Sequence, residues 1–173
     1  QKSTIDSYEI SIFVIIISTF QATNILIAQY LGADKKDEIG KQIWASWLIG
    51  LMLTAPLAAT LFLFSDNLFN PTVAEFFKNF IWSIPALAIN SVNSQAILGL
   101  KRYTASAVIG SLRASSIYIL THFLSDAYQE KGLPLALSLS NVAFAIATTG
   151  YLYHLTSADD IYALKKVPSK SEM

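Results

Sequence analysis

Arg113 is the only charged side chain within five long apolar stretches of this chain, and a guanidinium cannot readily lose its proton. Counting from the basic pair Lys101 and Arg102, it lies about ten residues in, or roughly 15 Å along a helix, near the middle of a bilayer. A central arginine costs about 2.5 to 3.5 kcal/mol on insertion scales, so something must compensate it. The five stretches contain no Asp or Glu. That leaves a backbone carbonyl, water, an anion of lipid or substrate, or a carboxylate from elsewhere as partner. Snorkelling toward the headgroups in a structural role is the alternative.

Amide and hydroxyl side chains recur at helical spacing in the same stretches. Gln21, Asn24 and Ala28 follow i, i+3, i+7, and Ser83, Asn90, Asn93 and Ser94 gather on one side. Ser111, Ser115, Tyr118 and His122 form a third stripe, and Ser138, Asn141, Ala145 and Thr148 a fourth. Such groups are unpaired against lipid and turn toward other helices or a wet cavity. Either they hold helices together, each contributing about 1 kcal/mol or less, or the stripes converge on one cavity. In the second case Gln21, Asn24, Asn90, Asn93, Arg113, Tyr118 and Asn141 line it and bind a substrate or ion through oriented dipoles.

Bond-breaking chemistry has no support in these residues. There is no cysteine, and His122 and His154 have no second ligand at a metal-like spacing. No nucleophile and base, phosphate-binding glycine loop or pair of buried acids occurs. The chain is expected to be neither an enzyme nor a cofactor or nucleic-acid binder.

Five stretches, residues 10–31, 42–65, 79–100, 103–125 and 132–158, each reach the roughly 20 residues that cross about 30 Å of hydrocarbon. Only 14% of residues are charged against about 25% in soluble domains, and the mean hydropathy is +0.46. An all-α integral membrane bundle over residues 1–158 is expected, with a polar cytoplasmic tail over 159–173. The first stretch is too long, and lacks the cleavage pattern, for a secretory signal. Since the chain opens on Gln1 and reaches a span within ten residues, a portion upstream is expected.

Lys35, Lys36 and Lys41, then Lys101 and Arg102, then Lys165, Lys166 and Lys170 fall on one side of such a bundle, against Lys2, Lys78 and Lys131 on the other. The richer side is cytoplasmic, so the chain starts outside and ends inside a cell membrane. Tyr8, Tyr30, Trp44, Trp82, Tyr103, Tyr128 and Tyr153 fall near span edges, as interfacial aromatic rings do. Pro56 and Pro85 lie inside the second and third spans and predict a bend or hinge. Residues 66–78, with Pro71, Phe76 and Phe77, suit a short turn on the outer surface. No repeat stands out within the chain.

Asn24-Ile-Leu-Ile-Ala-Gln-Tyr-Leu-Gly-Ala33, followed by Asp34-Lys-Lys-Asp-Glu38, resembles the second helix and cytoplasmic loop of a half of the multidrug and toxic compound extrusion family. Ile97-Leu-Gly-Leu-Lys-Arg-Tyr-Thr104 resembles the tight connection between the fourth and fifth helices, and Gly132-Leu-Pro-Leu-Ala136 the start of the sixth. The resemblance implies five transmembrane helices forming most of a six-helix lobe, with the first helix and a second lobe as missing partners. Ser111-Leu-Arg113 resembles a Leu-Arg of the eleventh helix, which points to the C-terminal lobe. Also implied is efflux of organic cations or other amphipathic compounds by alternating access, with sodium or a proton as coupling ion. One departure is plain: where the family carries an Asp in the tenth helix, this chain has Asn90, Ser91, Asn93 and Gln95. A lipid-linked sugar flippase, with Arg113 holding a phosphate, and a non-transporting membrane subunit are the alternatives.

Overall fold

The computed structural model describes Val14, Ser18 and residues 20–158. Tyr8, the start of the first expected span and the expected tail lie outside the described residues. Among the described residues six α-helices follow one another: α1 (Gln21–Gly32), α2 (Lys36–Leu68), α3 (Pro71–Phe80), α4 (Ser83–Gly99), α5 (Tyr103–Tyr128) and, after a 3-10 turn at Gln129–Lys131, α6 (Gly132–Ala158). Among the described residues there is no strand.

Three of these helices, α2, α5 and α6, are long and apolar enough to cross a membrane. Two of the five expected spans do not reach that length among the described residues. For the first span only the 12 residues of α1 are described as a continuous helix. The third, expected over 79–100, is broken at Ile81 and Trp82, which leaves α4 with 17 residues, about 26 Å. Pro85 explains the break: it has no N–H to offer the carbonyl of Ile81, and its ring opposes a helical turn there. The Ile84 N–H bonds that carbonyl instead, at 3.2 Å. Pro85 therefore sits in the first turn of α4 and does not bend a span, whereas Pro56 lies inside the continuous α2.

Residues 66–78 are more than a turn. Pro71 opens α3 and the Asn70 side chain accepts a hydrogen bond from the Val73 N–H at 3.0 Å, so the helix is capped as well as started. Its apolar face buries Val73, Ala74, Phe76, Phe77 and Phe80, closing one end of the bundle. Ion pairs of Lys78 with Asp66 (2.6 Å) and of Lys131 with Glu75 (2.8 Å) tie α3 to the end of α2 and to the turn before α6. All four side chains are exposed, so each pair contributes under about 1 kcal/mol and the phenylalanines hold the cap.

At the opposite end, two bends share one conformation. After α1, Asp34 adopts φ 56° while the N–H groups of Lys35 and Asp34 bond the carbonyls of Tyr30 and Leu31. After α4, Lys101 adopts φ 60° while Arg102 and Lys101 bond Ile97 and Leu98 in the same way. Both are Schellman closures with a charged residue in the left-handed position that glycine usually fills.

Helix α4 is the centre of the bundle and touches α1, α2 and α6, while α5 leans almost wholly on α6. In its second half α2 buries the mostly small residues Gly50, Thr54, Ala58 and Ser65 together with Leu61, with Gly50 against Ala88 of α4, while the large side chains Met52, Leu53, Phe62 and Leu63 point outward. Close approach of backbones through small residues is how helices pack where lipid removes the hydrophobic drive. Trp44 meets Trp47 edge to face at 5.1 Å and packs on the cluster near the basic bends, so it serves the bundle as well as its edge.

Gly99 marks the tightest crossing. A Cβ there would lie 2.8 Å from Ile27 side-chain carbons and 2.9 Å from the Asn24 carbonyl oxygen. Gly99→Leu should therefore separate α1 from α4 and cost about 1 to 3 kcal/mol. Gly110→Leu, with open space around it, should be nearly neutral. Thermal unfolding of the two variants in detergent, compared with the parent chain, checks this.

A buried polar layer and its family

Between the two apolar clusters, which take Leu87, Val92 and Leu137 on one side and Ala96, Ile97 and Leu152 on the other, α4 and α6 place amides face to face. Asn90, Asn93 and Asn141 are all buried. The side chain of Asn90 donates to the Asn141 backbone oxygen at 2.8 Å. That of Asn93 donates to the hydroxyls of Thr148 and Thr149, both at 2.9 Å, and accepts from the Trp47 indole of α2 at 2.8 Å. Asn141 donates to the Ser83 hydroxyl and accepts from Arg113 Nε at 3.0 Å. One hydrogen-bonded layer thus joins α2, α4, α5 and α6.

Acceptors in this layer are each partly occupied. Each amide oxygen already takes one bond, although that of Asn90 has the weakest, from Thr148 at 3.3 Å. The Thr148 hydroxyl has one proton and lies closer to the Phe144 carbonyl, at 2.6 Å. Beside Arg113, the hydroxyls of Ser116 and Ser140 pair at 2.7 Å and add a second polar contact between α5 and α6.

Of the expected cavity residues, Asn90, Asn93, Arg113 and Asn141 are brought together here. Asn24 is half-buried where α1 crosses α4, and Gln21 is exposed. Tyr118 is 78% exposed, and with Ser111, Ser115 and His122 it lies on the side of α5 turned away from α6. The stripes of α4 and α6 meet; those of α1 and α5 do not join them.

Trp47, Ser83, Ser116, Ser140 and Thr149 complete the layer. Ser83 was visible in the stripe of α4. Trp47 carried a usable signal as well, since an indole N–H deep in an apolar helix needs an acceptor.

An apolar groove of about 530 Å³ runs between α5 and α6, walled by Val108, Ile109, Leu112, Phe144, Ala147 and Tyr151. Thr148 belongs to both the groove and the polar layer.

The family model described as MatE matches residues 5–124. The chain belongs to the MatE family. MatE proteins are membrane transporters, which agrees with the long apolar helices and with the resemblance carried by residues 24–38 and 97–104. No curated protein and no solved structure matches the chain significantly. The MatE match takes in Trp47, Ser83, Asn90, Asn93 and Arg113, and ends before Asn141, Thr148 and Thr149 of α6.

Asn141→Leu removes the partners of Arg113 Nε and Ser83 together. It should cost about 1 to 2 kcal/mol, while Gln21→Leu should cost almost nothing. Unfolding of both variants in a mixed detergent series reads the difference.

Proposed function

We propose that this chain forms most of one lobe of a multidrug efflux antiporter that works by alternating access and exports amphipathic compounds. The observation that carries the reading is the polar layer joining α2, α4, α5 and α6 in a chain of the MatE family. Amides and a guanidinium inside apolar helices are costly to insert, and a cluster of them at one level points to use as well as to packing. The outward stripe of α5, Ser111, Ser115, Tyr118 and His122, supports a second lobe or a wet cavity on that side, since lipid satisfies none of those groups.

Coupling to a sodium or proton gradient falls mainly to the partner lobe in this reading. No acid occurs between Glu38 and Asp66, in α4, in α6, or in α5 before Asp126. Amides do not exchange protons, and Asn90 Oδ1 is the oxygen here with most capacity left for sodium. Arg113 favours one further reading, a flippase for lipid-linked sugars, in which the guanidinium holds a phosphate.

The basic bends at Asp34–Arg102 level are cytoplasmic in this proposal, with α3 outside and the membrane that of the cell surface. The chain is free of cysteine, so single substitutions label cleanly. Asp34→Cys should react with an impermeant maleimide only in inverted vesicles, and Lys131→Cys only in intact cells; the reverse pattern would sink this topology. In the full transporter, Asn90→Leu combined with Asn93→Leu should lower dye export by roughly tenfold or more at normal membrane abundance. Unchanged export would remove the polar layer from the transport path.

A further inference from the structure

The groove between α5 and α6 has a depth as well as a volume. Along α5 its wall runs from Thr104 to Leu112, about 12 Å, and along α6 from Tyr151 back to Phe144, about 10 Å. Half of a bilayer's hydrocarbon is about 15 Å thick. The groove thus begins beside the basic bend that opens α5 and stops near mid-membrane, just short of the level of Arg113 and Asn141.

That extent discriminates among occupants. A helix from a second copy would pack along the whole apolar length of the 26-residue α5, yet the groove occupies only its first part. A polar solute finds almost no polar wall, because the Thr148 hydroxyl is already bonded within the layer. Water is refused by apolar walls, and an empty groove forfeits dispersion contacts along its full length. One acyl chain of a lipid in the same leaflet meets every condition: it is apolar, it enters from the side, and it ends at mid-membrane.

Charge at the mouth selects the head of that lipid. Arg102 and Lys101 precede Thr104 by two and three residues, which keeps them within about 7 and 11 Å of chain from the groove. Both are exposed, and Lys101 makes no ion pair among the described residues. A phosphatidylglycerol head brings a phosphate with no cation of its own, whereas a choline head brings a like charge to the pair.

We infer that the groove is a lipid site: one anionic phospholipid, from the leaflet that holds the basic bends, lays an acyl chain between α5 and α6 with its phosphate beside Lys101 and Arg102. The site serves whatever compound the lobe transports and whichever side of the membrane the bends face. Its chain passes Thr148 and packs on Val108 and Leu112, so it supplies α5 with apolar contacts that α6 alone leaves open.

The test reconstitutes the 173-residue chain in nanodiscs of equal phosphatidylglycerol and phosphatidylcholine and counts retained lipids by native mass spectrometry. Phosphatidylglycerol should be retained roughly tenfold more often than phosphatidylcholine. Lys101→Gln combined with Arg102→Gln should remove that preference. Ala147→Trp, which puts an indole into the groove, should lose retained lipid of both kinds, while Gly110→Trp, in open space and outside the groove wall, should keep it. In the parent chain, which needs no variant to fold, phosphatidylglycerol with a diazirine near the end of one acyl chain should label peptides that contain Leu112 or Phe144.

Equal retention of the two lipids by the parent chain overturns the inference, as does a preference that survives Ala147→Trp. Diazirine label spread evenly over the outward face of α2 does the same. A lipid-free dimer cross-linked through the groove assigns it to a second copy instead, and overturns the lipid site as well.

Discussion

In hydrocarbon a side-chain amide must find its hydrogen-bond partners within the protein, and Asn141 finds both of its own on other helices. Its oxygen takes the Arg113 Nε–H of α5, its nitrogen reaches Ser83 of α4, and its backbone oxygen takes Asn90. Three helices are fixed in azimuth by one residue. A rotation of α6 that exposed Asn141 to lipid would strand a cation and several amide groups together, so the crossing has a single favourable register.

This constraint matters most for α5, none of whose residues is fully buried. Its apolar contacts to α6 leave a groove along one side, and its contact with α4 is slight. Arg113 and Ser116 supply the direction that shape alone leaves loose. The other helices are held more conventionally, by the phenylalanines of α3 at one end and by the isoleucine-rich cluster of α1, α2 and α4 at the other, with Trp47 touching both.

What the sequence made legible follows from how far each signal reaches. Asn90, Asn93, Asn141 and Thr148 announce themselves because amides and hydroxyls at helical spacing within apolar runs must share a face. The isolation of Arg113 from any acid was equally plain. The break at Ile81 and Trp82 was not, since hydropathy runs through it unchanged and only the missing N–H of Pro85 decides it. Tyr118 and Gln21 show the limit of periodicity: spacing groups residues on one side of a helix without saying what that side meets. The position of Trp47 inside an apolar run signalled a need for an acceptor, but only the fold shows that the acceptor is Asn93, a bond that ties α2 to the centre. MatE membership, by contrast, was readable from the connections around Asp34 and Lys101, where chain geometry leaves few solutions.

Those two connections do more than reverse the chain. Glycine would adopt the left-handed conformation without strain, whereas Asp34 and Lys101 give up roughly 1 kcal/mol each to hold it. What is kept in exchange is an ionised group at the apex of each hairpin. Together with Lys35, Lys36 and Arg102 beside them, these apices gather charge at one end of both hairpins, where it stays in water.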